Sequence, residues 1–589
     1  MSGKFNTSLV QFTQFSGVEL NAHLVLADKP ARQQQKLITL SKYVQKYPQG
    51  WKKRLELADL LYEMGNWQQA VTEYRQVMAR QPQLIDVRLQ LGKILQLMGL
   101  EQEALEVYEP ALLLSENQAT QNHIKGLIAV CRGENQQAII AFNLAAALEP
   151  EKVVHWLALA QVHQGRENPL ATLNAVEQVL SITPEDVVAL IYSYDALMAV
   201  GDIPAARERL NKLIAIAGDD FRVLQRQIDQ RCQMRWVSGE EGKLTKKMIT
   251  SLLGQAPHSA EAHKSLAYYH ILRGDWAQGV KVLAEFTAAH PQQPYGWYYY
   301  GRCLFHTGEY QQAVEMMMKA YQLYPHDGEI YRALCEILPL ESHPLPLSYA
   351  EKGVRGEGSK IEPHPRPLSY EERGVRGEGS KIEPHPRPLS YEERGVRGEG
   401  SKTTLAFIVE EMLKRFPERW SVWATVGRVL VEHFPEFERG CSVSEQGTKL
   451  QPQLADAWLR HGRVLALALR HREAVEVLEK GWKLLPTGGY LQSVPAAVWL
   501  GESYLVLKDV NASKRWWEVA GEGCQELKAF NPAMADYWLG RVLAGLGDRL
   551  RAIQAYESAV SKQLLYPARG EVEKSLQGLK GKRRKGCRR

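Results

Sequence analysis

The stretch PYGWYYYGRCLFHTGEYQQAVEMMMKAYQLYPH, from Pro294 to His326, decides the fold. Numbered from its first residue, it puts Trp297 at place 4, Tyr300 and Gly301 at 7 and 8, Leu304 at 11 and Gly308 at 15. Ala313, Met317, Ala320 and Pro325 follow at 20, 24, 27 and 32. Places 4, 7, 8 and 11 share one face of a first helix, and places 20, 24 and 27 share one face of a second. The same beat recurs outward in both directions. Gly65, Gly99 and Gly133 lie 34 residues apart, Gly201 lies two steps further, and Gly274 and Gly308 repeat the step. Ala70, Ala104, Ala138, Ala206, Ala313, Ala474 and Ala552 hold place 20, and Pro82, Pro150 and Pro184 close units in one phase. Pro257, Pro291 and Pro325 close units in another. Such a period means stacked helix–turn–helix units.

Each conserved place has a physical reason within this chain. Small residues at places 8 and 20 let two helix backbones approach. Glycine near place 15 takes a turn conformation at little steric cost. Proline at place 32 stops the second helix because it lacks an amide donor. Neither helix buries its apolar stripe alone, so stability comes from neighbouring units.

The Trp, Leu, Gly, Tyr, Ala and Pro places resemble the tetratricopeptide repeat, and the register recurs at least ten times. The resemblance implies an all-α fold, an α-solenoid wound as a right-handed superhelix, whose first helices line a concave face. The pattern divides the chain into a degenerate N-terminal cap (1–50), an array (51–220), a degenerate repeat or bend (221–259) and a second array (260–342). An insert (343–402), a third array (403–566) and a basic tail (567–589) complete it.

The insert has its own period of 21, starting at His343, His364 and His385. It resembles the translated form of a repetitive DNA element of cyanobacterial genomes. Rich in Pro, Gly, Glu and Arg, it is expected to form no packed core. Removing about 58 residues restores the phase of the array, so it sits in a loop inside one unit. Its histidines lack neighbouring ligands at metal spacing, and no metal or other cofactor is expected.

The net charge of +6 is concentrated in the tail, where Arg569–Arg589 carries nine Lys or Arg against two Glu. A near-neutral body lacks the distributed cationic groove that a nucleic-acid binder needs. Seven scattered cysteines without C-x-x-C pairs suit a reducing compartment. The first twenty residues lack a secretory pattern and no apolar run approaches 18 residues, so a cytoplasmic protein without a membrane span is expected. No phosphate loop, H-E-x-x-H, G-x-S-x-G or dinucleotide fingerprint occurs, so no enzymatic activity is expected.

The resemblance places residues 2, 5, 6, 9, 12 and 13 of each unit on the concave face. Arginine holds place 9 in four units, as Arg302, Arg428, Arg463 and Arg541. Tyr295, Tyr298 and Tyr299 hold inward places beside Arg302, with Tyr268 one unit earlier and Arg332 one unit later. Tyrosines among arginines supply the amphipathic area and forked donors of binding hot spots. These nine residues are the candidate partner contacts, and Tyr298, Tyr299 and Arg302 are expected to be exposed. The alternative for them is packing between helices and solvated ion pairing. The chaperone-tail clamp of the family does not carry over, because its places hold Leu55, Asp59, Leu89 and Lys93. The expected function is a non-catalytic scaffold for a peptide or protein partner. The alternatives are an accessory subunit of a separately encoded transferase and, less favoured by charge, a helical-repeat RNA binder.

Overall fold

The structure is a computed structural model that describes residues 31–340 and 399–581, except for residues 64, 65, 99 and 326. Among the described residues there are helices and turns and no strand. A helix at Ala31–Lys46 precedes thirteen helical hairpins, and a helix at Ala568–Gly581 follows them. The first helices of units 1 to 13 start at Trp51, Ile85, Gln118, Val153, Val187, Phe221, Ala260, Pro294, Gly328, Trp420, Ala455, Tyr490 and Pro532. The α-solenoid expected from the period is therefore present.

Local chemistry explains the beat. Proline O and Trp Nε1 recur as a pair: Trp156, Trp297, Trp423 and Trp458 donate to the carbonyls of Pro150, Pro291, Pro417 and Pro452 at 2.8–3.0 Å. A tryptophan at place 4 thus locks its unit to the proline that ends the previous one. Several second helices start after an aspartate that caps a free amide: Asp202, Asp275, Asp509 and Asp548 accept from Ala205, Gln278, Ala512 and Arg551. Gly308, at φ +92°, supplies the left-handed turn between helices in unit 8. Ala70, Ala138 and Ala313 are fully buried at helix crossings, as the spacing predicts. At the crossing of unit 10 two backbones touch: a Cβ on Gly427 would lie 2.6 Å from the Gly440 carbonyl.

Residues 221–259, read from sequence as a degenerate repeat or bend, hold helices at Phe221–Gln233 and Gly239–Gln255. The insert lies almost wholly outside the described residues, and the second helix of unit 9 starts at Glu399, inside the range assigned to it. The tail from residue 582 also lies outside the described residues.

From unit 6 onward successive first helices pack on one another, whereas successive second helices barely meet. A curved stack brings its inner elements closest, so the first helices line the inner side. The curve closes on itself. Asn135 and Arg166, at the turns of units 3 and 4, bond to Glu418 at the junction before unit 10. Gly201 of the unit 5 turn lies against Gln492 at the start of unit 12. Arg235 of the unit 6 turn donates to the Lys562 carbonyl at 3.0 Å, and Trp276 Nε1 of unit 7 donates to Gln563 at 3.2 Å. At the unit 8 turn, the Tyr566 amide donates to the His306 carbonyl at 3.1 Å. Each of these contacts joins a turn within one of units 3 to 8 to a junction about six or seven units further on. One edge of the first coil is thereby covered by the opposite edge of the second.

Candidate partner-binding face

The place-9 residues of units 7 to 13 form a column: Tyr268, Arg302, Glu336, Arg428, Arg463, Glu502 and Arg541. Stacking sets each beside its neighbours, and the acids fall between the arginines. Arg302 Nη1 donates to Glu336 at 2.7 Å. Glu502 sits between two arginines, accepting from Arg463 at 3.3 Å and, from the other side, from Arg541. Arg428 is held by Glu432 of its own helix at 2.7 Å. The Arg541 guanidinium also lies over the Trp538 ring at 4.9 Å, and that of Arg463 over Trp499 at 5.6 Å.

Arg332 is buried with Glu329, and also bonds to Ser421 at 3.1 Å and faces Glu167 of the opposite coil at 3.9 Å. Burial pulls the Arg302, Arg332, Arg428 and Arg541 guanidinium pKa values down, but their glutamate partners outweigh this and hold them above the ordinary value. For Arg463 burial wins. Its pKa is lowered, with Glu502 opposing the shift and Arg541 adding to it.

The tyrosines are also engaged. Tyr295 donates to Asp327, and Tyr299 donates to Glu261 at 3.1 Å. Tyr298 packs edge-on to both rings, and Tyr268 edge-on to His306. His306 Nδ1 donates to the Tyr566 carbonyl at 3.0 Å, which leaves Nε2 to accept from Arg302 at 3.5 Å. Burial, then the Arg302 charge, push the His306 pKa down to about 3, so its imidazole is neutral at physiological pH.

The expected exposure of this patch is not found. Tyr268, Tyr295, Tyr299, Arg332, Arg463 and Arg541 are buried, and Tyr298, Arg302 and Arg428 are half-buried. Two causes act together: glutamates of neighbouring units occupy the guanidinium donors, and the Tyr566 segment closes over the unit 8 turn. The structure does bring Tyr298, Tyr268 and Arg302 together, and the Glu336 carboxylate acts on both Arg302 and Arg332. Sequence reading followed only the arginines of the column. The glutamates at the same place, Glu336 and Glu502, were a visible signal. Tyr566 was not, since no spacing relates it to His306.

Among the described residues no group of three His, Cys, Asp or Glu could hold a metal ion, and no helix is long and apolar enough to cross a membrane. Residues 54–83 and 264–328 match tetratricopeptide-repeat family models. The chain contains tetratricopeptide repeats. The second match contains the unit 8 first helix and most of the Tyr268–Arg302 patch. No curated protein matches the chain. Among solved structures it is similar to yeast Tom70, at 14% identity over 82% of this chain and 96% of that one, with a TM-score of 0.36. It is similar to YrrB, a tetratricopeptide-repeat protein with an unusual peptide-binding site, at 15% identity over 32% and 97%, with a TM-score of 0.21. Naa15/Naa10 bound to HypK-THB shows 12% identity over 93% and 94%, with a TM-score of 0.28.

Proposed function

We propose that this tetratricopeptide-repeat chain is a non-catalytic, cytoplasmic interaction scaffold that takes a peptide or protein partner on its inner face. The observation that supports it is the column of place-9 arginines, each already holding a carboxylate. A partner's carboxylates would compete with Glu336 and Glu432 for Arg302 and Arg428, whose side chains are 12% exposed against 7–8% for Arg463 and Arg541. Tyr298 adds a half-buried aromatic surface beside them. Tyr268, Tyr295, Tyr299, Arg332, Arg463 and Arg541 then belong to the site as the frame that fixes those three.

Arg302→Ala is a poor test, because it strands the buried Glu336 carboxylate and costs stability by itself. The triple variant Y298A/R302M/E336Q removes the patch without leaving a lone charge. Partners captured by the full-length chain from its native cell are identified, and their affinity is then measured by calorimetry. The expected loss is ~30-fold or more, the scale of a hot spot, with the thermal midpoint within a few degrees of wild type. Unchanged affinity in a folded triple variant would remove the inner face from consideration.

A further inference from the structure

In a solenoid all turns within units lie on one edge and all junctions between units on the other. Within this chain the two edges are already used against each other: first-coil turns meet second-coil junctions. Where they meet, most apolar residues on both sides are covered, although Trp236 at the unit 6 turn stays 37% exposed. Ile203 and Trp276 on the turn edge are buried, as are Trp420, Leu454, Phe530 and Tyr566 on the junction edge.

Among the described residues, two stretches of edge have no such cover. The turn edge of units 11 to 13 meets no other coil among the described residues, and it exposes Leu469, Leu505, Val506, Val510, Leu546 and Leu550, with Leu469 at 72% and Val510 at 63%. The junction edge of the first units meets no other coil among the described residues, and it exposes Tyr47, Leu113, Leu148, Val154 and Ile182, with Leu113 at 88%. Each bare stretch is the counterpart of an edge that is buried elsewhere in the same chain. Single exposed apolar residues are ordinary, but a row repeated turn after turn marks an interaction surface.

We propose that the occupant of both stretches is a second copy of this chain. The junction edge of one copy's first coil seats on the turn edge of another copy's last units, and the superhelix continues across the boundary. The argument is continuity: the contact needed between copies is the contact that already joins the two coils within one copy. Such an interface is heterologous, because it pairs two different surfaces, and it leaves one free edge of each kind at the ends. The assembly is therefore open, adding copies head to tail, and does not close as a dimer.

The test uses the full chain in sedimentation velocity and light scattering over a wide concentration range. Wild type is expected to grow in mass with concentration past the dimer. V506D/V510D removes the turn edge, and L113D/V154D removes the junction edge. Each variant retains only one kind of edge and is expected to be monomeric, with association weakened about 30-fold or more. An equimolar mixture of the two is expected to form a one-to-one dimer and nothing larger, since the two intact edges complement. Circular dichroism checks the helix content of each variant, and serine replaces aspartate at the same positions if either loses it. A wild type that stays monomeric throughout overturns the proposal. So does a wild type that stops at dimer, a single-edge variant that still assembles, or a mixture that does not pair.

Discussion

Glu502 is the residue on which the arginine column can be tested most directly. Its carboxylate accepts from Arg463 on one side and Arg541 on the other, and both guanidinium side chains are under a tenth exposed. Replacing it with alanine removes the carboxylate that two buried guanidinium groups share, leaving Glu432 acting on Arg463 and Glu571 on both. Stranding a buried charge costs ~3–5 kcal/mol. Glu502 itself is about a quarter exposed, so water offsets part of this, and we expect ~2–4 kcal/mol for E502A. E502Q keeps the shape and one acceptor, and is expected to lose less.

The assay is urea unfolding followed by tryptophan fluorescence, to which Trp499 and Trp538 beside the two guanidinium groups contribute among the chain's 14 tryptophans. In a solenoid the loss falls on the units concerned and their neighbours. R541M/E502Q removes one stranded cation along with the acid, so its cost should be below the sum of the two single substitutions by at least ~0.5 kcal/mol. Losses under ~1 kcal/mol in both E502A and E502Q would refute the reasoning. The arginines would then be solvated, and their pairing in the structure would carry no energy.

Acid should weaken the fold through its buried histidines. Burial, as the largest cause in each case, lowers His123 and His306 to about 3 and His461 to about 4 from an ordinary 6.5. Below pH 6.5 the unfolded chain takes up protons that the folded one refuses, so stability present above that pH is lost as pH falls toward 3–4. Each histidine contributes ~1.4 kcal/mol per pH unit, and a urea midpoint unchanged between pH 7 and 5 would count against their burial. Tyr566→Ala keeps the backbone bonds to His306 but empties the fully packed site where the Tyr566 ring meets Trp276 and Gly308, and should cost ~3–5 kcal/mol, with an increased radius of gyration in X-ray scattering as the coils part. An unchanged radius would mean that other contacts hold the coils. Deleting residues 343–398 should leave cooperative unfolding intact, with stability unchanged or raised by up to ~2–3 kcal/mol from the shorter loop. Loss of cooperativity on deletion would show the segment to be structural.

The sequence by itself determined what neighbours in the stack must satisfy. A tryptophan at place 4 needs the preceding proline carbonyl, alanine at place 20 must fit a helix crossing, and glycine at place 15 must turn the chain. These demands are local and recur every 34 residues, so periodicity exposes them, and with them the number of units and the break at the insert. The place-9 column was legible too, had its glutamates been read alongside its arginines. What only the tertiary structure decided is which distant edges meet. The coil closes through a small rotation at each unit, summed over about seven of them, and no single spacing encodes that sum. His306 meeting Tyr566 follows from it, and so does the burial of residues that a repeat viewed alone would leave facing water. The same accumulated rotation places the turn edge of units 11 to 13 against no other coil among the described residues.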